Sequence, residues 1–267
     1  AHNVAIRQVA IDNDLKMNEY GVFDVSAIEN PDNGQRVGER VGGATEISMY
    51  AALDMPWIPP ELREDRGEVE AALGNDLPAL LAPGAVRGDL HVHSSWSDGQ
   101  ATIREMAEAA AGFGHEYIAI CDHATGPGMV GGVGVPDKDL RDQLAKIHRV
   151  DDSLDIEVFA GVEANIHQDG TVSVADDLLA DLDCVVASPH AALDGDGTDR
   201  LVAAAEHPHV DVIGHPTGRY LNRREGLDVD VAALAVAAAE HDTALEINAN
   251  PQRLDLSGRA VQIALEE

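Results

Sequence analysis

From residue 85 onward the chain repeats one unit: a short apolar run, a polar turn, then a helical stretch. The strand-like runs are 88–93, YIAICDH (117–123), IEVFAGVEANI (156–166), DCVVASPH (183–190), VDVIGHP (210–216) and ALEINAN (244–250). Several are nearly continuous in apolar residues, the pattern of parallel strands buried on both faces. Helical periodicities separate them. In the first, Thr102 and Glu105 form a capping box, and Ile103, Met106, Ala107 and Ala110 make one apolar stripe. Others cover 137–150, 174–181, 198–206 and 230–241. Strands and helices alternating at this spacing predict βα units and a parallel sheet, open or closed as a barrel.

Residues 1–84 read differently. Two or three short helical or strand-like pieces lead to PWIPPELRED, whose prolines at 56, 59 and 60 predict a semi-rigid connector. A domain boundary is expected near 82–87, with 1–50 as one small segment and 51–84 as a proline-containing linker. The first segment is too short and irregular for an independent catalytic domain. The opening AHNVAIRQ has no signal-peptide pattern and no initiator Met, which points to a cytoplasmic fragment. No stretch approaches the ~20 apolar residues of a membrane span. Cys121 and Cys184 both sit in apolar strand-like runs, as small core residues of a reducing compartment rather than a disulfide.

Charge is the unusual quantity. Asp and Glu number 48 against 18 Lys and Arg, a net charge of −30, and only three of the cations are lysines. Such a field repels nucleic acid in dilute buffer. The acidic residues are spread through well-patterned segments, which argues against a disordered tail. An acidic, Lys-poor surface suits molar salt, where the Debye length falls to about 3 Å and self-repulsion is screened. The charge is therefore read as a mark of a halophilic habitat, and no basic stripe for DNA is evident.

Residues 88–99, GDLHVHSSWSDG, place two histidines one residue apart and an aspartate five positions later. On a strand, residues i and i+2 project from the same face, roughly 7 Å apart. His91 and His93 thus point together at the mouth of the first strand, with Asp98 in the loop beyond it. The same strand-end position recurs with His123, Glu163, His190 and His215. In parallel α/β folds the carboxyl ends of the strands share one face, which carries the active site. Five imidazoles and two carboxylates on one rim suit Zn, Mn or Fe, and this many donors implies more than one ion.

Other histidines fail that test. His2, His115, His148, His207, His209 and His241 fall in helical stretches or turns, where a solvated imidazole is the default. His167 follows the third strand and is a weak candidate for lining the cleft. Asp122 is a candidate for orienting an imidazole, or else a strand-end cap. GPGMVG (126–131) matches G-x-G-x-x-G formally, yet no helix starts on it, so it reads as a mobile loop over the site mouth. DGDGTD (194–199) has Asp199 where an EF-hand needs glycine and Ala205 at the final Glu position, so it reads as a solvated loop.

The set HVH with Asp98, then CDH, GVE, ASPH and GHPTGR, resembles successive motifs of the PHP (polymerase and histidinol phosphatase) superfamily. HNVAIRQVAIDNDLKMNEYGVF and YAALDMPWIPPELREDRGEVEAAL are similar to the thumb and linker of bacterial and archaeal family X DNA polymerases. The resemblance implies a distorted (β/α)7-type barrel, preceded by a short α+β thumb-like segment. It implies two to three divalent metal ions, with manganese the usual one. Carried over by position, the ligands are His91, His93, Asp98, His123, Glu163, His190 and His215. The family pattern ends in an Asp-x-His pair on a last strand; this sequence stops at ALEE, before it. The polymerase palm is also not among these residues, and polymerase activity from them is not expected.

The expected chemistry is phosphoester hydrolysis. Adjacent ions lower the pKa of a bridging water and neutralise phosphoryl charge, so the nucleophile is the metal-held water rather than a side chain. Arg219, just past the fifth strand, is a candidate clamp for a substrate phosphate. The resemblance implies a 3′–5′ exonuclease or 3′-end phosphoesterase domain in DNA repair, acting on DNA 3′-ends or nucleotide phosphoesters. The rivals are a small-molecule phosphatase of the histidinol-phosphate type and an inactive module serving as structural support or DNA platform. An amidohydrolase is disfavoured because Lys138 and Lys146 fall on a helix, away from the rim.

Overall fold

The structure is a computed structural model that describes residues 1–82, 84–126 and 133–267. Most of the GPGMVG stretch, 127–131, lies outside the described residues. The chain divides into two compact units, Ala1–Ala82 and Pro83–Glu267.

In the first unit, α1 (His2–Asp12) is followed by β1 (Leu15–Asn18), β2 (Gly21–Asp24) and β3 (Glu39–Gly42), then α2 (Glu46–Ala52) and α3 (Glu68–Leu73). The three strands form an antiparallel sheet in the order β1-β2-β3. Its core joins Ile6 and Ala10 to Val22, Tyr50, Leu53, Met55, Ile58, Val69 and Ala72. The stretch expected as a separate linker over 51–84 therefore differs in the structure. Leu53, Met55, Ile58, Val69 and Ala72 are buried with residues of α1 and β2, so the prolines lie in a segment that packs into the first unit. His2 also departs from the solvated default: it is 6% exposed. Its Nδ1 lies 2.6 Å from Glu68 Oε1 and its Nε2 2.9 Å from the Tyr50 hydroxyl.

The second unit runs β4 (Gly88–Val92), α4 (Ile103–Gly112), β5 (Tyr117–Ile120), α5 (Asp137–Asp151), β6 (Glu157–Asn165) and α6 (Asp176–Leu179). It continues with β7 (Cys184–Ser188), α7 (Thr198–Ala205), β8 (Val212–Ile213), α8 (Val231–Glu240), β9 (Ala244–Leu245) and α9 (Gly258–Glu266). The six strands are parallel and lie in chain order, β4 to β9. In a flat sheet β4 and β9 would stand about 24 Å apart at ~4.8 Å per strand. His91 Nδ1 on β4 instead lies 2.7 Å from Glu246 Oε1 just past β9. The sheet is thus curled into a partial barrel, as the alternating pattern and the family resemblance predict.

The local signals account for much of this. Thr102 and Glu105 form the expected capping box on α4, and Ile103, Ala107 and Ala110 face the core. The central strands β5, β6 and β7 are buried along nearly their whole length. The last two strands are shorter than the apolar runs imply: VDVIGHP contributes two strand residues, and ALEINAN two. Past Leu245 the chain leaves the sheet because Asn248 pairs with Asp255 in an isolated bridge, which turns 246–255 back over the barrel mouth. Both cysteines are buried and free.

Candidate metal centre

The residue at the middle is Glu163, on β6, the longest strand, and 1% exposed. Every neighbouring strand delivers an imidazole toward it. His91 Nε2 stands 3.3 Å from Glu163 Oε1, His190 Nε2 3.2 Å and His215 Nε2 3.0 Å. On the other oxygen, His93 Nε2 is 3.5 Å away and His123 Nδ1 2.5 Å. The five rings close on themselves: centroids are 5.1 Å apart for His91–His93, 4.4 Å for His93–His123 and 5.0 Å for His123–His190. His190–His215 at 5.2 Å and His215–His91 at 6.2 Å complete the circle. The structure therefore brings together all seven residues read from the strand ends. Asp98 comes in from the loop after β4, with Oδ1 2.9 Å from His93 Nδ1 and Oδ2 3.6 Å from His123 Nε2.

Local structure explains how each side chain is aimed. The SSWSDG turn carries Asp98 and ends at Gly99. A Cβ there would lie 2.6 Å from the His93 carbonyl oxygen, so only glycine lets the loop fold back under the histidine. Asp122 is fully buried and accepts hydrogen bonds from Ser94 N (2.7 Å), Ser94 Oγ (2.6 Å), Ser97 Oγ and Gln143 Nε2 (2.6 Å). It fixes this loop against α5 rather than orienting an imidazole. His190 Nδ1 is held by Asn165 Oδ1 at 2.8 Å. His215 sits at φ +25°, in the region disfavoured for a side-chain-bearing residue, and its N–H donates to Glu246 Oε2.

Glu246 is the main residue the strand-end reading missed. It meets the His91 imidazole, a carboxylate behind the ring, and accepts from the backbone N–H of His215. In the sequence it is the third residue of the ALEINAN run, directly after the two residues of β9, and nothing local marks its pairing with His91. Asn248, Asn250 and Arg253 also line the cleft, which has a volume of about 400 Å³. Arg219 does not line it; its Nε donates to the Arg253 carbonyl oxygen at 2.7 Å, so it supports the loop that brings Arg253 to the mouth. His167 is likewise absent from the lining, and His207 pairs with Asp176 at 3.4 Å.

The electrostatics favour a cation at this place. Burial pushes the Glu163 carboxyl upward, but His91, His123, His190 and His215 outweigh it and hold the group well below the usual carboxylate range. Burial also pushes His91 downward, and Glu163 and Glu246 overcome it to hold that imidazole well above its ordinary value. His93 and His190 stay lowered because burial dominates there. Among the described residues, His91 Nε2, His123 Nδ1, His190 Nε2 and Glu163 Oε2 are buried without a hydrogen-bond partner. These nitrogens stand close to carboxylate oxygens without aligning as hydrogen-bond donors. Three overlapping groups qualify as ion cradles: His91/His93/Glu163, His93/Asp98/His123 and His123/Glu163/His190. Imidazole with carboxylate fits divalent Zn, Mn or Fe, and shared donors between cradles fit more than one ion.

Comparison with known proteins agrees with this geometry. The family model of the DNA polymerase beta thumb matches residues 1–64, and that of the PHP domain matches residues 89–246. The chain is 39% identical over 259 residues to the DNA polymerase/3′-5′ exonuclease PolX of Bacillus subtilis (strain 168). That alignment covers 96% of this chain and 43% of that protein, so the chain spans less than half of that relative's length. It is 31% identical over 170 residues to a probable phosphatase of Caldanaerobacter subterraneus subsp. tengcongensis, covering 60% of this chain and 61% of the relative. A probable phosphatase of Syntrophotalea carbinolica is 34% identical over 169 residues, at 60% and 64% coverage. With a match over more than half of its length, and a DNA polymerase beta thumb segment ahead of it, the chain belongs to the PHP domain family.

Proposed function

We propose that this chain hydrolyses phosphoesters with divalent ions held by His91, His93, Asp98, His123, Glu163, His190 and His215. In a longer protein it would serve as the 3′–5′ exonuclease or 3′-end phosphoesterase part of a family X DNA polymerase, beside a palm carried elsewhere, in DNA repair. The observation that carries the reading is the closed circle of five imidazoles around one buried carboxylate, three of which, His91, His123 and His190, turn unpartnered nitrogens to its oxygens.

Divalent ions bound here would polarise a phosphoryl oxygen and make a water molecule acidic enough to give hydroxide near neutral pH. The chain's own residues do the rest. Glu163 offers an oxygen to each side of the cluster, so it can serve two cradles at once. Glu246 and Asn165 lock His91 and His190 in orientation, which removes the entropy of aligning donors at each turnover. Asp98, whose side chain is 54% exposed, stands on the solvent side where a substrate phosphate arrives. Arg253 supplies the positive charge in the cleft that an incoming phosphate meets.

A second reading is a phosphatase for small monoesters, favoured by the relatives named as phosphatases. The thumb segment supports the polynucleotide reading. The test joins elemental analysis of metal per chain to hydrolysis assays on a 3′-ended oligonucleotide and on a small phosphomonoester. Two or three Mn, Zn or Fe per chain are expected, with faster turnover of the oligonucleotide. Glu163→Gln should bring metal below one ion per chain and lower turnover about 100-fold or more. Full metal content and activity in Glu163→Gln would refute the assignment, and preference for the monoester would favour the second reading.

A further inference from the structure

In a chain with 48 acidic and 18 basic residues, arginines left without carboxylates need a reason. Four stand together beside the metal cleft: Arg219, Arg223 and Arg224 on the loop after β8, and Arg253 on the loop after β9. The second unit's arginine–carboxylate pairs are those of Arg87, Arg104 and Arg141, and among the described residues none involves these four.

The four are held in a fixed frame. Leu221 N donates to Gln252 O at 2.7 Å and Arg219 Nε to Arg253 O at 2.7 Å, which zips the two loops together. Thr217 N and Gly218 N donate to the buried Asp255 carboxylate at 3.1 and 2.9 Å. Arg224 Nε donates to Gly218 O at 2.8 Å. The guanidinium carbons of Arg253 and Arg223 lie 5.4 and 5.3 Å from the centroid of the Tyr220 ring. Arg253 lines the cleft, while Arg219, Arg223 and Arg224 line a second hollow of about 530 Å³. Tyr220 joins the two, so positive charge continues outward from the cluster. Nη1 of Arg253 is buried and unpartnered.

A substrate with a single phosphate would use Arg253 alone. The three further arginines outside the reacting cleft have carbonyl oxygens at most as partners and no carboxylate, so they suit a ligand that carries more anions along its length. Arginine's planar fork matches phosphate oxygens, and an aromatic ring among such cations is the recurring design of single-strand binding surfaces. The net charge of −30 does not forbid this. Glu225 lines the same hollow as Arg219, Arg223 and Arg224, which leaves three cations to one anion there; at ~0.1 M salt the Debye length is about 10 Å, so carboxylates farther off are screened. We infer that Arg219, Arg223, Arg224 and Arg253, arranged about Tyr220, hold the backbone of a single-stranded polynucleotide whose end enters the metal cleft. The inference rests on the hydrolase reading for where the strand leads, while binding itself can be measured without turnover.

The experiment is fluorescence anisotropy with the 267-residue chain, Mn²⁺ and a phosphorothioate oligothymidylate of about a dozen nucleotides. Kd is measured from about 50 to 200 mM salt. Arg223→Ala and Arg219→Ala should each weaken binding about 3- to 10-fold and reduce the slope of log Kd against log salt by about 0.7. Arg223→Lys, which keeps the charge, should retain the slope. Arg104→Ala, on α4, should bind as the parent does. The inference is overturned if the arginine variants keep both Kd and slope, if Arg104→Ala weakens binding equally, or if thymidine monophosphate binds as tightly as the oligomer. A chain that binds the oligomer through these arginines yet hydrolyses no phosphoester would defeat the hydrolase reading and uphold the surface.

Discussion

Glu68 and Glu163 are both buried carboxylates, and the difference between them separates structure from chemistry. Glu68 accepts from Asp65 N at 2.9 Å and Arg66 N at 2.7 Å and meets His2 at 2.6 Å, so its oxygens are fully occupied. Glu163 is crowded by imidazoles that mostly fail to align as donors, which leaves its Oε2 buried without a hydrogen-bond partner. For Glu68, burial raises the pKa, and the His2 and backbone hydrogen bonds outweigh it, leaving the group at about 2. A carboxylate lowered from its unfolded 4.5 contributes stability that is full above about pH 4.5 and disappears as pH falls toward 2. Glu68→Gln should therefore lower the unfolding free energy at neutral pH, by on the order of 3 kcal/mol at most, and the gap to the parent should close near pH 2. A gap that stays constant across that range would rule out ionisation as its cause. Neither this network nor Glu246 is legible one residue at a time, because His2 and Glu68 are 66 positions apart and His91 and Glu246 155. The seven strand-end donors were legible, since alternation along a strand fixes which face each residue joins.

At the scale of elements, the loop-to-strand junctions set the precision of the site. Gly214 closes β8 just before His215, and a Cβ there would lie 2.2 Å from Ser188 Oγ and 2.6 Å from Val186 Cγ1. Gly214→Ala must push β8 away from β7, with an expected loss of about 1–3 kcal/mol and weaker metal uptake as His215 is displaced. Gly112, the last residue of α4, meets nothing within 4 Å, so Gly112→Ala should raise stability by up to ~1 kcal/mol with metal uptake intact. Thermal melts and metal titration of the two variants check both. If Gly214→Ala matched the parent in both, close β7–β8 packing would not be what positions His215. The βα order was readable because apolar runs and helical periods alternate cleanly. The lengths of β8 and β9 were not, because GHP enters a turn closed by Gly218 N donating to the His215 carbonyl oxygen, and INAN enters the Asn248–Asp255 bridge.

For the whole molecule, charge outweighs any single contact. With −30 distributed over a 267-residue chain, self-repulsion opposes the compact state wherever it is unscreened. Raising KCl from about 10 mM to about 1 M shortens the Debye length from roughly 30 to 3 Å. Tm should rise steadily over that range, as read by scanning calorimetry. A flat or falling Tm would mean that local pairs such as Arg141 with Asp177 and Asp181 already balance the surface. Composition foretold the repulsion but hid the exception to it. Three of the four arginines lie within residues 219–224, but Arg253 comes from a segment some 30 residues away and joins them about Tyr220 only in the fold.

The sequence by itself determined the fold class and which seven side chains meet at the rim, because strand alternation and βα order are local and periodic properties of the chain. Only the tertiary structure decided that the rim closes into a circle around Glu163, that Glu246 and Arg253 join it, and that residues 51–82 pack into the first unit's core. Those facts depend on how far the sheet curls and on which distant segments meet. Curl and contact arise from the packing of the whole chain rather than from any stretch of it.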